Sequence, residues 1–567
     1  PNACAFILDE NYAIVSIEKG KADELKKYKE IVYVQEPIIY TLGSISPLET
    51  ANIDKFHDNP YLNLTGNGVI AGLVDTGIDY MNSEFMYEDD TTKILRLWDQ
   101  TVKSQKSPAD FNFGTEYNSE EINSAIKLEK SGGDPYTIVN SKDEIGHGTE
   151  MAGIIAGRGK NSQLKGAAPN AEIAAVKLKQ APKSSLEDLG IFDPAVPVYL
   201  NTDVVLAIKY LFNISRQLNK PIVIYVPLGT NSGGHDGSTI IERYIDDLSE
   251  IRGLDVVTGT GNEGDADIHT SGKIEKTGDT KILELKVDEM ERDITFSIWI
   301  NKPDKVSVGI TSPSGEVIDR IPAKLRQTQE VKFVFEGSSV SVVYYLPEEA
   351  TGDEQIKIRI KNAKGGIWQF KLTGDYIVDG TYNAWLPQRA LLKENTRFLN
   401  PSQYITLTTP STARKITASA EYNQDNNTVI SSSGRGYTRD GRIKPVIAAG
   451  GFNVITTAVG GGVTTVSGSS TGAAVTAGAV ILMMEWGIVQ GNDPTLYSNK
   501  INAYLARGAA KRAGDTYPNQ QWGYGMLDLN NIFVNMRSCE EMDIVPVKIE
   551  KSRKKKSSIF IRMPDYY

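Results

Sequence analysis

Four short stretches constrain the fold of this chain more than any other feature. GVIAGLVDTG (68–77), AEIAAVKL (171–178), PIVIYVPLG (221–229) and LDVVTGTGN (254–262) are continuous apolar runs that end in glycine-rich or polar turns. A strand apolar along its whole length has to be covered on both faces, the mark of a parallel sheet between helical layers. TDVVLAIKYLFNISRQLN (202–219) carries helical periodicity between two of the runs. RIKPVIAAG (442–450) and then GAAVTAGAVILMMEWG (472–487) resume the pattern far downstream. The expected fold class is α/β: a parallel sheet with helices on both faces.

Two passages break that pattern. Residues 88–140 are polar, show no clear core element and read as a long surface excursion. Residues 272–400 are rich in strand patterns such as KILELKVDE, ITFSIWINK, VSVVYYLP and IKIRIKN, punctuated by turn residues as in an antiparallel sandwich. The chain therefore divides into an N-terminal segment (1–46), a first α/β part (47–271), an inserted β-sandwich (272–400) and a second α/β part with a tail (401–567). In the first segment CAFILDENYAIVSIE reads as strand, GKADELKKYKE as helix and IVYVQEPIIYTL as strand, followed by a linker-like GSISPLETANI.

Composition removes several function classes. A net charge of -10 is wrong for a nucleic-acid partner, because phosphate binding needs a basic face. The short basic run KSRKKK (551–556) reads as a solvated terminal face. Cys4 and Cys539, the two cysteines, cannot supply a disulfide framework. The sequence is read as holding no apolar run of about 20 residues, so no transmembrane helix is expected. Pro1 in the place of an initiating Met suggests a trimmed start.

Chemistry concentrates in three motifs. VDTGID (74–79) delivers Asp75 from a buried strand into a glycine turn. GHGTEMAGIIAG (146–157) sets His147, one of four histidines in the chain, at the start of a helix. GSSTGAAVTAG (468–478) sets Ser470 at the mouth of a helix of small residues. Each alone is unremarkable: an Asp-Thr-Gly is usually a turn, a serine before a helix usually a cap. Together they supply a nucleophile, a base to take its proton and a carboxylate to fix the base's tautomer. A helix N-terminus at Ser470 also offers backbone N–H groups to a developing oxyanion.

The order Asp, His, Ser and the wording of these motifs resemble the subtilases. Further matches lie between them: GAAPNAEIAAVKL (166–178), VPLGTNSGG (226–234), TGTGNEGD (258–265) and WGYGMLDL (522–529). The resemblance implies a serine endopeptidase with catalytic Asp75, His147 and Ser470 and with Asn262 as side-chain oxyanion donor. It also implies substrate contacts at Pro227, Leu228, Gly229, Gly259, Thr260 and Gly261. Ser469, Thr471, Gly472 and Ala474 depart from the family's usual residues around the nucleophile but leave every reacting group in place.

A narrower likeness, carried by EWGIVQGNDPTLYSNKINAYLARGAAKR and YPNQQWGYGMLDL, points to the clostridial Csp group of spore germination proteases. That likeness implies a jelly-roll-like insertion and limited proteolysis that activates a cortex-lytic zymogen, in the cortex or coat region of the spore. It implies a prodomain, residues 1–46, that is cut within 40–47 and acts as an intramolecular inhibitor. A monomer is expected. Two other readings stay open, a general extracellular degradative subtilase and a pseudoprotease serving as a regulatory binding module. No cofactor is expected; calcium, common in subtilases, has no acidic cluster of convincing spacing to support it.

Overall fold

The computed structural model describes residues 4–7, 13–16, 21–25, 27–31, 46–192, 194–324 and 327–538. The chain forms two compact units, Pro1–Ser44 and Ile45–Tyr567. In the first, CAFILDENYAIVSIE is a hairpin rather than one strand: Cys4–Ile7 pairs antiparallel with Ala13–Ser16. The polar Asp9-Glu10-Asn11 stretch, poor in strand propensity, separates the two. A short helix, Ala22–Leu25, follows. The expected strand at 31–42 falls, beyond Ile31, outside the described residues, and so does most of the 40–47 cleavage segment. GSISPLETANI is not a free linker where it is described. Pro47–Thr50 is a helical turn capped by Ser46, and Ala51 and Ile53 are buried in the main core.

The second unit is built on a mixed sheet. Its strands are β1 (Ile70–Asp75), β2 (Ile94–Asp99), β3 (Thr115–Asn118), β4 (Glu172–Lys177), β5 (Ile222–Tyr225), β6 (Leu254–Gly259), β7 (Thr417–Asn423), β8 (Thr428–Val429) and β9 (Ile447–Gly450). The order across the sheet is β8-β7-β6-β5-β1-β4-β2-β3, with β9 pairing β7. All pairs are parallel except β7–β8 and β2–β3 at the ends.

The apolar runs have the physical cause inferred from sequence. Along β1, Ala71 and Leu73 enter the core on one face, while Ile70 and Val74 enter the core on the other. The first face is covered by helices α1 (His147–Ala156) and α4 (Ser469–Met484). The second is covered by α2 (Asn201–Leu218) and α3 (Ile240–Leu248). Helix α4 is buried at every position except Ser470 and packs against β5, β6, β7 and α1. With a π turn, Glu485–Val489, it forms a 21-residue helix, by length and composition long and apolar enough to cross a membrane. Inspection of the sequence missed this run; it is the central core helix of the unit and is largely buried by its neighbours.

The 88–140 passage corrects the surface-excursion reading. It contributes β2, β3 and a helix, Ser119–Lys130, closed by an Asn118–Glu121 capping box. Trp98 of β2 is fully buried among Phe111, Phe113 and Tyr210, at ring distances of 4.7, 5.3 and 5.0 Å.

The insertion is a pair of antiparallel sheets, His269 to Phe398, closing on one apolar core that includes Phe296, Val340, Trp368 and Phe370. Its six-stranded sheet runs Thr328–Phe333, Ser338–Tyr345, Glu354–Lys361, Asp293–Ile300, Thr381–Trp385, His269–Lys273. Its five-stranded sheet runs Val317–Ile321, Lys305–Thr311, Gly366–Tyr376, Thr280–Val287, Arg397–Phe398. One tie to the α/β core is ionic. Buried Arg439 bonds Asp236 of the core at 2.8 Å and Asp353 of the insertion at 2.7 Å, with its guanidinium over Trp299.

Candidate active site

Asp75 is the last residue of β1, at the carboxyl edge of the sheet, where open α/β sheets place their ligand-binding residues. His147 is the first residue of α1. The turn into that helix requires Gly146, whose φ of 95° a side chain would strain. His147 Nδ1 lies 2.8 and 2.9 Å from the two oxygens of Asp75. Burial alone would disfavour the imidazolium. The Asp75 carboxylate, by charge and by hydrogen bond, outweighs it and raises His147 to about 9, with help from Glu150 and Asp143.

Sequence reasoning missed Asp143, which holds this pair in place. Its buried carboxylate accepts from the Thr76 hydroxyl at 2.8 Å, from Gly146 N–H at 2.8 Å, and from the Thr149 N–H and hydroxyl at 2.9 and 2.7 Å. One side chain therefore ties the turn after Asp75 to the first turn of the His147 helix. The available signal was a carboxylate four residues before His147, at a helix N-terminus where negative charge is favoured.

Ser470 lies in the first turn of α4, where backbone N–H groups have no intrahelical partner. Tyr225 of β5, also missed from sequence, donates its hydroxyl to the Ser470 carbonyl at 2.8 Å. β5 neighbours β1, so this bond fixes the Ser470 turn against the strand that carries Asp75. Asn262, just past β6, accepts from Ser469 N–H through Oδ1 at 3.0 Å. The amide is thereby oriented with Nδ2 as a donor free of partners among the described residues.

Ser470 and Asn262 line one cavity of about 590 Å³ with Pro227, Leu228, Gly229 and Gly261. Gly259 and Thr260 do not line it. Gly259 runs beneath Ser469, and a Cβ there would sit 2.7 Å from the Ser469 carbonyl oxygen. Thr260 is fully buried, with its hydroxyl 3.3 Å from that of Ser433. Both support the cavity from behind. The Gly229 carbonyl accepts from Gln388 at 2.8 Å. Among the described residues, no group of three or more His, Cys, Asp or Glu side chains is disposed to hold a metal ion.

A carboxylate-anchored imidazole, a serine at a helix mouth and an oriented amide donor share this end of the sheet, the equipment of acyl transfer through a serine ester. The profile of the subtilase family matches residues 66–278 and 393–525, and the chain belongs to that family. It is a serine endopeptidase with a subtilisin-like α/β fold. Among solved structures it is similar to the CspB protease of Clostridium perfringens, at 32% identity and a TM-score of 0.77, over 87% of this chain and 99% of that one. A psychrophilic protease designated S41 (15% identity, TM-score 0.42, 84% of this chain and 96% of that one) and sphericase (14%, 0.41, 84% and 96%) are more distant. No curated protein matches the sequence.

Proposed function

We propose that Asp75, His147 and Ser470 form the catalytic triad and that Asn262 Nδ2 with the Ser470 N–H makes the oxyanion hole. The observation that carries this is the contact of His147 Nδ1 with both Asp75 oxygens, at 2.8 and 2.9 Å. With Nδ1 donating to the carboxylate, Nε2 holds the lone pair that takes the Ser470 proton as Oγ attacks the scissile carbonyl. Asn262 stabilises the oxyanion, His147 returns the proton to the leaving amine, and an acyl-enzyme remains. Water then repeats the sequence and frees Ser470.

The physiological reading is a dedicated processing protease that activates a cortex-lytic zymogen during spore germination. Similarity to the CspB protease over most of both chains supports it, as does a cleft walled in by the insertion. Residues 1–46 serve as a prodomain, cut within 40–47 and then acting as an intramolecular inhibitor.

Intact mass and fluorophosphonate labelling of wild type and Ser470→Ala test the chemistry. Wild type is expected to be labelled and cleaved within 40–47, the variant neither, with turnover lost by roughly a millionfold as when subtilisin loses its nucleophile. An unlabelled, uncut wild type overturns the assignment. Broad digestion of casein, in place of limited cleavage of a cortex-lytic zymogen, overturns the processing role.

A further inference from the structure

The cavity that holds Ser470 and Asn262 does not end at the α/β core. Its far wall is the outer face of the insertion's six-stranded sheet, with Thr295, Ser297, Trp299, Tyr345, Gln355 and Lys357 in the lining. The alternation of that sheet explains the set. In Glu354–Lys361 the even-numbered residues face the sandwich core, so Gln355 and Lys357 point the other way.

This wall is built into the cleft. Gln388 and Arg389, on the link between the insertion's two sheets, bond the Gly229 carbonyl at 2.8 Å and, through a backbone N–H, the Glu263 carboxylate at 3.0 Å. The Arg359 guanidinium bonds the Glu187 carbonyl at 3.1 Å, and Arg292 lies over the Phe192 ring, fastening the loop that closes the cavity to the same sheet.

Among the described lining residues Lys357 is the one cation, and Glu263, committed to Arg389, the one carboxylate. Lys357 is exposed, and its strand neighbours across the sheet, Ser297 and Val343, carry no charge. Asp293, on the same sheet face, is paired to Arg359 at 2.9 Å. A cation with no counter-charge among the described residues, on a wall that also carries Trp299 and Tyr345, is poised for an anion that arrives with the substrate.

We propose that this sheet face is a specificity surface of the protease and that Lys357 reads an acidic side chain flanking the scissile bond. The proposal rests on Ser470 being the nucleophile and assigns the class of peptide that nucleophile receives: extended chains carrying Asp or Glu near the cut.

Fluorogenic peptides with Glu, Gln or Lys walked through four positions on each side of the cut test it on the intact enzyme. Wild type should prefer Glu over Lys at one position, in kcat/KM and mainly through KM. Lys357→Ala should reduce that preference by about 2- to 5-fold, the size of an exposed ion pair. Lys357→Glu should reverse it, and added salt should flatten it. Fluorophosphonate labelling of Ser470 should be the same in all three proteins. Equal rates for Glu and Lys at every position, or a preference unmoved by Lys357→Glu, overturns the proposal while leaving the nucleophile intact. Labelling without cleavage of any peptide also counts against the surface alone. Absence of both labelling and cleavage sinks the nucleophile assignment and the proposal with it.

Discussion

The α/β core and the inserted sandwich bury their strands in different ways. β1, β5 and β6 are buried at every residue, whereas Ser338–Tyr345 and Glu354–Lys361 of the insertion alternate strictly between buried and more exposed positions. A strand covered on both faces has only its ends free, so the chemistry proposed for the core sits at strand ends and helix mouths: Asp75, Asn262, Ser470. A sandwich strand keeps one face uncovered, and that face can become a wall for something else. On the proposed assignments the two regions divide the labour, the core supplying bond-making groups and the insertion supplying a surface.

The largest effect is expected where the two regions are tied. Arg439→Ala leaves Asp236 and Asp353 without their shared buried cation, a change that costs about 3–5 kcal/mol in comparable buried pairs. Thermal unfolding should fall steeply, with the insertion melting ahead of the core. A single transition at the wild-type temperature would mean that the Arg439 ion pairs are not what holds the regions together.

Asn262→Ala probes the core's chemistry alone. Turnover should fall by about a hundred- to a thousandfold, the loss measured for the side-chain oxyanion donor of subtilisin. Unfolding of the insertion should be unchanged. Near-wild-type turnover would remove Asn262 from the site.

The pH profile sharpens the same side of the comparison. The base must be neutral, and His147 is raised to about 9 by Asp75, so kcat/KM should drop about tenfold per unit as pH falls below that value. The sign for stability is opposite. A raised folded pKa contributes stability that is fully present below the unfolded value of 6.5 and is lost as pH rises through about 9. An activity plateau reached already near pH 6 would contradict the Asp75 coupling. The smallest effect, the few-fold change in charge preference at Lys357, tests the insertion's side alone.

Much of the core was legible from sequence because full burial writes itself into a strand as an unbroken apolar run. β2 was not. Its ILRLWD is half-buried at Leu95 and Arg96, because it lies one strand from the sheet edge and is incompletely covered. The apolar signal breaks there, and the passage looks like surface. α4 was seen as a helix, but its alanines and glycines hid how long and how buried its apolar run is.

By itself the sequence determined the strand and helix types of the core, the alternating pattern of the insertion, and the motifs around Asp75, His147, Asn262 and Ser470. Those are local properties, set by side-chain volume, polarity and period along a few residues. Tertiary structure alone decided what touches across the chain. It brought Asp143 between the Asp75 and His147 turns, set Tyr225 under Ser470, withdrew Gly259 and Thr260 behind the cavity, and carried Lys357 to its rim. Those contacts follow from how layers pack, and packing depends on residues far apart in sequence that no local pattern records.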